Sequence, residues 1–129
     1  MPKIKIDAVA VSSSDMAKTL DFYRCLGFDF PTDAASQDHV EPITAPGEVR
    51  LMIDTAKLME SIIAEPPRPA NHSGFALLCD SPAEVDAIAQ KVVDAGFEVA
   101  NPPWDAFWGQ RYAIVKDPDG YKIDVFAAL

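Results

Sequence analysis

The sequence predicts an α+β fold built from two βαβββ modules that form an open, eight-stranded, barrel-like sheet around a pocket, with helices on the outside. Three observations predict it. The order of strand and helix patterns in the first half recurs in the second. Leu26-Gly27-Phe28-Asp29-Phe30 and Ala95-Gly96-Phe97-Glu98-Val99 share one pattern: a small or apolar residue, glycine, phenylalanine, an acid, an apolar residue. Each half closes on a strand pair around a proline–glycine turn, Pro46-Gly47 in the first and Asp117-Pro118-Asp119-Gly120 in the second. There proline presets one dihedral and glycine supplies the positive one.

The elements follow in order. Lys3 to Ser12, rich in Ile and Val, reads as the first strand. Ser12-Ser13-Ser14-Asp15 then opens a helix. Its apolar residues Met16, Leu20, Tyr23 and Leu26 recur at three- and four-residue steps, and Gly27 ends it. Phe28-Asp29-Phe30 is expected as a second strand, broken by Pro31. His39–Ala45 and Glu48–Asp54 complete the first module, with His39 an exposed residue at a strand start. Ala56–Ile63 reads as a short helix, and Glu65-Pro66-Pro67-Arg68-Pro69-Ala70 as a semi-rigid linker.

The second module repeats this. Ser73–Cys79 is a strand. Ser81-Pro82-Ala83-Glu84 starts a helix with a capping serine, a proline at the first helical position and a glutamate placed for a capping box. Val85, Ile88, Ala89 and Val92 form its buried stripe. Phe97-Glu98-Val99, Arg111–Lys116 and Tyr121–Ala127 are the closing strands, and Pro102 to Gly109 is read as a loop. One domain over 1–129 is expected, with module one at 1–63, a linker at 64–72 and module two at 73–129.

Composition narrows the function. The chain is 49% hydrophobic and 24% charged, which excludes disordered and fibrous classes. Twenty acidic against eleven basic residues give a net charge of −9. Such a domain repels phosphate backbones, so nucleic acid is not expected, and it attracts cationic small molecules. No apolar run reaches the roughly 18 residues of a membrane span. MPKIKIDAVAV carries two lysines, but charge returns at Asp7 with no small-residue cleavage site after it, so a first strand is expected rather than a signal peptide. Cys25 and Cys79 have no CxxC spacing and nothing nearby to lower a thiol pKa, the pattern of a reduced cytoplasmic protein with two buried thiols.

The phrases Asp21-Phe22-Tyr23-Arg24-Cys25-Leu26-Gly27-Phe28 and Asp117-Pro118-Asp119-Gly120-Tyr121-Lys122-Ile123-Asp124, in this order of elements, resemble the vicinal oxygen chelate superfamily. That group takes in glyoxalases, bleomycin-resistance proteins and extradiol dioxygenases, so the resemblance implies a fold and not one activity. Trp108-Gly109-Gln110-Arg111-Tyr112 looks like a variant frequent among drug-resistance-like and unclassified members. Metal-dependent members hold a divalent ion with His, Gln and Glu from four strands. By the resemblance those positions fall here at Ala8, at Leu51 or Met52, near Gly74 and at Asp124. A methyl group, an alkyl chain or a thioether is no ligand for a hard ion. Only His72, by a two-residue shift, and Asp124 remain as weak metal candidates, so no metal or other cofactor is expected.

Alternation puts Asp124 and Phe126 on one face of the last strand, and the resemblance makes that face concave. Trp104, Phe107 and Trp108 arrive on the preceding segment and cover either core, a dimer interface or a ligand; Met52 and Met59 could add apolar lining. Arg111 either contributes to the site or pairs with Asp124. The expected ligand site is therefore Met52, Trp104, Phe107, Trp108, Arg111, Asp124 and Phe126. The function read from it is a non-catalytic binding protein that sequesters an aromatic or cationic small molecule, as resistance proteins do. The alternative is a lyase, isomerase or dioxygenase, metal-dependent or with Asp124 as general base. A homodimer is expected, its modules pairing within a chain or between chains.

Overall fold

A computed structural model describes residues 5–71 and 73–129 of the chain. In chain order the elements are β1 (Ala8–Ser13), α1 (Met16–Cys25), a 3-10 turn (Ala34–Ser36), β2 (His39–Val40), β3 (Arg50–Thr55), α2 (Ala56–Ile63), β4 (Ser73–Leu78), α3 (Pro82–Asp94), β5 (Glu98–Ala106), β6 (Gln110–Lys116) and β7 (Lys122–Ala128). They form two mixed sheets, ordered β1-β3-β2 and β4-β7-β6-β5. β1 runs parallel to β3 and β4 parallel to β7; the other pairs are antiparallel.

The duplicated glycine–phenylalanine phrase has a physical cause. Gly27 (φ +101°) and Gly96 (φ +84°) take the left-handed conformation that ends α1 and α3. The Phe28 N–H donates to the Tyr23 carbonyl and the Phe97 N–H to that of Val92, while each glycine donates to the carbonyl three residues back. This is the Schellman closure; its usual apolar contact is present in α1, where Phe28 meets Tyr23 edge-on, while Phe97 reaches across to Phe22 of α1. At the other helix ends, Asp15 accepts from the Lys18 N–H and Ser81 from that of Glu84. The Glu84 carboxylate reaches back one residue further than a capping box requires and accepts from the Asp80 N–H.

Several expected strands differ. Among the described residues there are seven strands, in sheets of three and four, and the two sheets are not hydrogen-bonded into one eight-stranded sheet. Phe28–Phe30 is not a strand. Pro31 removes a ladder donor, and the chain turns at once into the 3-10 turn. β2 has two residues rather than seven because Pro42 lies just beyond it. Conversely, β5 continues through Pro102 and Pro103 to Ala106, where a loop was expected. β5 pairs only with β6, so it is an edge strand, and register shifts around Asn101 absorb the missing donors. The expected strand residues Lys3 and Ile4 lie outside the described residues.

The core lies between the helices and one face of each sheet. Leu20, Phe22 and Tyr23 of α1 and Val85, Ile88 and Val92 of α3 pack on Val11, Leu51 and Ile53 of the first sheet and Ala113, Val115, Ile123 and Val125 of the second. Polar bonds tie the halves together. The Tyr23 hydroxyl donates to Asp117 Oδ2 at 2.8 Å, and the Ser14 N–H donates to the Asp119 carboxylate at 3.0 Å. Asp117 Oδ1 accepts from the N–H groups of Asp119 and Tyr121. The Asp117–Gly120 turn of the second half thus grips the start and middle of the first helix.

Among the described residues no helix is long and apolar enough to cross a membrane. Cys25 and Cys79 are free thiols. Burial pushes both pKa values up, that of Cys79 to about 11, which is the opposite of nucleophile activation.

Candidate functional site

Strand alternation sorts the second sheet into two faces. Ile123, Val125 and Ala127 of β7 and Ala113 and Val115 of β6 are buried against the helices. Their neighbours Lys122, Asp124 and Phe126, with Tyr112, Ile114 and Lys116, take the opposite, open face and are half-buried. Register then builds rows across that face. Leu78 pairs with Phe126, Phe126 with Tyr112, and Tyr112 with Trp104, an apolar row spanning all four strands. Ala76, Asp124, Ile114 and Asn101 form the next row. Lys122, Lys116 and Glu98 follow, the last two joined by an ion pair at 3.6 Å.

The β5–β6 turn completes the aromatic end. Trp108 meets Trp104 at 5.5 Å between ring centroids and Tyr112 at 5.3 Å, both edge to face, and Phe107 meets Trp108 at 4.9 Å. The Trp108 indole N–H donates to Gln110 Oε1 at 2.8 Å, which fixes the ring. Trp104 and Trp108 remain 38% and 47% exposed, and Phe107, at 91%, stands clear of the fold.

Five of the seven sequence-predicted residues, Trp104, Phe107, Trp108, Asp124 and Phe126, therefore share this end of the sheet. Arg111 does not join them. Its register neighbour is the buried Ala127, on the helix-facing side, where it pairs with Asp86 of α3 and Asp105 at 3.0 and 3.1 Å. The expected Arg111–Asp124 pair is thus corrected: one residue of alternation puts the two on opposite faces. Met52 lies on the first sheet, paired with Ala10 of β1.

The sequence reading missed a charged chain on the first sheet. His39 Nδ1 lies 2.5 Å from Asp54 Oδ1 and Nε2 lies 2.7 Å from Glu41 Oε2. Glu41 also accepts from Arg50 Nη1 at 2.7 Å, and Arg50 Nη2 reaches Asp7 at 2.8 Å. The two carboxylate bonds, that of Glu41 first, raise the His39 pKa above its usual range; the same bond holds the Glu41 carboxyl below its own. His39 is 44% exposed at its side chain, as a strand-start residue should be, yet both nitrogens are engaged. The signal in the sequence was weak: a histidine and a glutamate two apart share a strand face, but only pairing with β3 supplies Asp54.

The divalent ion implied by the resemblance does not fit these residues. Ala8 pairs with Arg50, Ala10 with Met52, and Ala76 with Asp124. Methyl groups and a thioether beside one carboxylate are not a donor set for a hard ion. Among the described residues no group of three or more His, Cys, Asp or Glu side chains could hold one. His72 lies outside the described residues.

The likeness to known proteins agrees with this architecture. A hypothetical protein from S. aureus superposes with a TM-score of 0.79 at 21% identity, covering 98% of this chain and 96% of its own. A glyoxalase-related enzyme from Fulvimarina pelagi gives 0.80 at 16% identity, covering 95% and 87%. A lactoylglutathione lyase from Agrobacterium tumefaciens gives 0.67 at 20%, covering 98% and 95%. At these identities the likeness shows the fold alone. No curated protein matches the chain. The model of one family matches residues 5–125, nearly the whole sequence, and on that match the chain belongs to the glyoxalase/bleomycin resistance protein/dioxygenase superfamily.

Proposed function

We propose that the chain is a small-molecule-binding protein of this superfamily, one that sequesters an aromatic or cationic compound, in the manner of a resistance protein, without chemically altering it. The observation that carries this reading is the apolar row Trp104–Tyr112–Phe126–Leu78, with Trp108 standing against it and Asp124 one row away. A flat ligand stacks on the indoles, and a positive group on it reaches the carboxylate. The net charge of −9 favours such a ligand at long range. The donor-poor positions Ala8, Met52 and Gly74 support binding over metal-assisted turnover. A homodimer in the cytoplasm belongs to the same reading: the exposed Leu78 and Phe107, at 73% and 91%, support association, and the free thiols Cys25 and Cys79 support a reducing compartment.

Tryptophan fluorescence tests it. N-methylquinolinium, a flat aromatic cation, and 1-methylnaphthalene, its uncharged shape mate, are titrated separately. Saturable quenching is expected with both, the cation binding more tightly by roughly 0.5–2 kcal/mol. Trp104→Ala and Trp108→Ala each weaken both ligands, whereas Asp124→Asn reduces only the preference for the cation. No saturable response to either compound, or a cation preference untouched by Asp124→Asn, overturns the proposal.

A further inference from the structure

A well-formed cavity lies elsewhere among the described residues. A space of about 400 Å³ opens on the other side of the strands, the side that looks into the core. Val9 and Leu51 of the first sheet and Phe75 and Leu77 of the second line it, and Phe28 from the end of α1 closes it. The register fixes this side. Val9 pairs with Leu51 and alternates with Ala8 and Ala10, while Phe75 and Leu77 pair with the fully buried Ile123 and Val125. The cavity thus lies on the Phe75 and Leu77 side of the second sheet and reaches the edge strand β4 at Ala76, the register partner of Asp124.

Its outer wall is the segment 42–49, and that wall is braced. Glu41 at one end and Arg50 at the other are joined by two bonds of 2.7 Å between Arg50 Nη1 and the Glu41 carboxylate. Arg50 is in turn held to Asp7, by its side chain at 2.8 Å and its N–H at 2.9 Å. The Glu48 N–H donates to the Ala45 carbonyl, which closes the turn at Pro46-Gly47. A pocket with its walls set before the ligand arrives loses little in ordering them. The lining offers almost no polar recognition. The Thr44 hydroxyl is engaged by the Pro42 carbonyl, and Glu48 is the charged lining group. Ile6, Ile43 and Val49 at the mouth are 75%, 87% and 50% exposed. Three aliphatic side chains fall well short of the roughly 800 Å² per partner of a stable protein interface. A polar hollow lined by Lys5, Asp7, Glu48 and Arg50 borders them and limits the apolar patch. The volume falls in the range of small-molecule sites, about 300–1,000 Å³.

We infer that this cavity is a second binding site, for one small uncharged apolar molecule of about bicyclic size, distinct from the aromatic face. An anion is disfavoured by Glu48 and the acidic surroundings, and a cation would leave its charge facing Val9, Phe28, Phe75 and Leu77. The inference does not rest on the proposal for the open face.

N-phenyl-1-naphthylamine, a neutral dye that brightens in apolar surroundings, tests it. Saturable binding of one dye per chain is expected in the Trp108→Ala protein, where the aromatic face no longer competes for the dye. Leu77→Trp, which fills the cavity, and Ile43→Asp, which charges an exposed residue of its mouth, each weaken that binding by about tenfold or more. Circular dichroism checks the fold, and Ile43→Asp carries the test if Leu77→Trp does not fold. The inference is overturned if the dye does not saturate in the Trp108→Ala protein, or if Ile43→Asp leaves its binding there unchanged. It is equally overturned if the protein sediments as a dimer that Ile43→Asp dissociates, since a second copy would then cover the mouth.

Discussion

The bond between Tyr23 and Asp117 is expected to set how firmly the two halves are held. Both residues are buried, Tyr23 completely and Asp117 to 3% exposure. Tyr23→Phe removes one hydroxyl and nothing else, and leaves Asp117 Oδ2 without that donor. A hydrogen bond to a charged, buried acceptor is worth about 1.5–3 kcal/mol, so a loss of about 2 kcal/mol is expected. For a chain of this length that is about 7 °C in Tm. Burial outweighs the three donors on Asp117 and raises its pKa, so the carboxylate itself carries a desolvation cost. The single loss therefore mixes two effects, and the double-mutant cycle with Asp117→Ala isolates the bond. Urea unfolding of the four proteins should show a coupling of about 1.5–3 kcal/mol with an unchanged slope. Burial first, and then the Asp117 charge, raise the Tyr23 pKa far above its usual 10.0. A raised pKa means stability present below the unfolded value and lost above it. Wild type should therefore lose stability above about pH 10, and Tyr23→Phe should lack that part of the loss. A coupling below about 0.5 kcal/mol would refute the reasoning, because the grip of the turn on α1 would then rest on Ser14 and Asp119 instead.

Much of the fold was legible because local chemistry decided it. Asp15 and Ser81 cap, Gly27 and Gly96 close, and the duplicated phrase is the closure itself, so α1 and α3 lie where the sequence places them. Strand extents were harder, since pairing and not propensity sets them. Phe28–Phe30 has strand composition but no partner it can reach before Pro31, whereas Pro102-Pro103 survives inside β5 because that strand has a free edge. The candidate site shows the same division. Asp124 and Phe126 share a face by alternation alone, which any reader of the sequence can count. Trp104 joins them only through register shifts in β5, which no local pattern announces. Arg111 was misplaced because its acidic partners, Asp86 and Asp105, lie 25 residues before it and 6 residues before it, so distance along the chain did not reveal them. The His39 chain and the cavity behind the second sheet depend on contacts between elements far apart in sequence, and there only the folded chain could bring them into view.

Two further outcomes separate the faces and the charges. Arg111→Ala should leave the affinities for N-methylquinolinium and 1-methylnaphthalene unchanged in the fluorescence titration, because the guanidinium points to α3; a clear loss of either would place it in the site after all. The last concerns His39, whose ring holds β2 against β3 through carboxylates on both nitrogens. Its pKa is raised, so the stability it contributes is present below the unfolded value of 6.5 and lost as pH rises through the folded one. The pKa of Glu41 is lowered, so its share is present above the unfolded value of 4.5 and lost as pH falls through the folded one. The clasp is therefore complete between those two unfolded values and loosens on either side. With the ring 44% exposed, solvent screening limits its worth to about 1 kcal/mol or less. His39→Gln keeps a donor and an acceptor but does not titrate. Urea midpoints measured from pH 5 to 9 should converge for the two proteins at the alkaline end and part at the acid end, where only the wild type holds an imidazolium between Glu41 and Asp54. Midpoints that run parallel across the whole range would mean that the ring is not charged in the fold, and that β2 is held by its two backbone pairs alone.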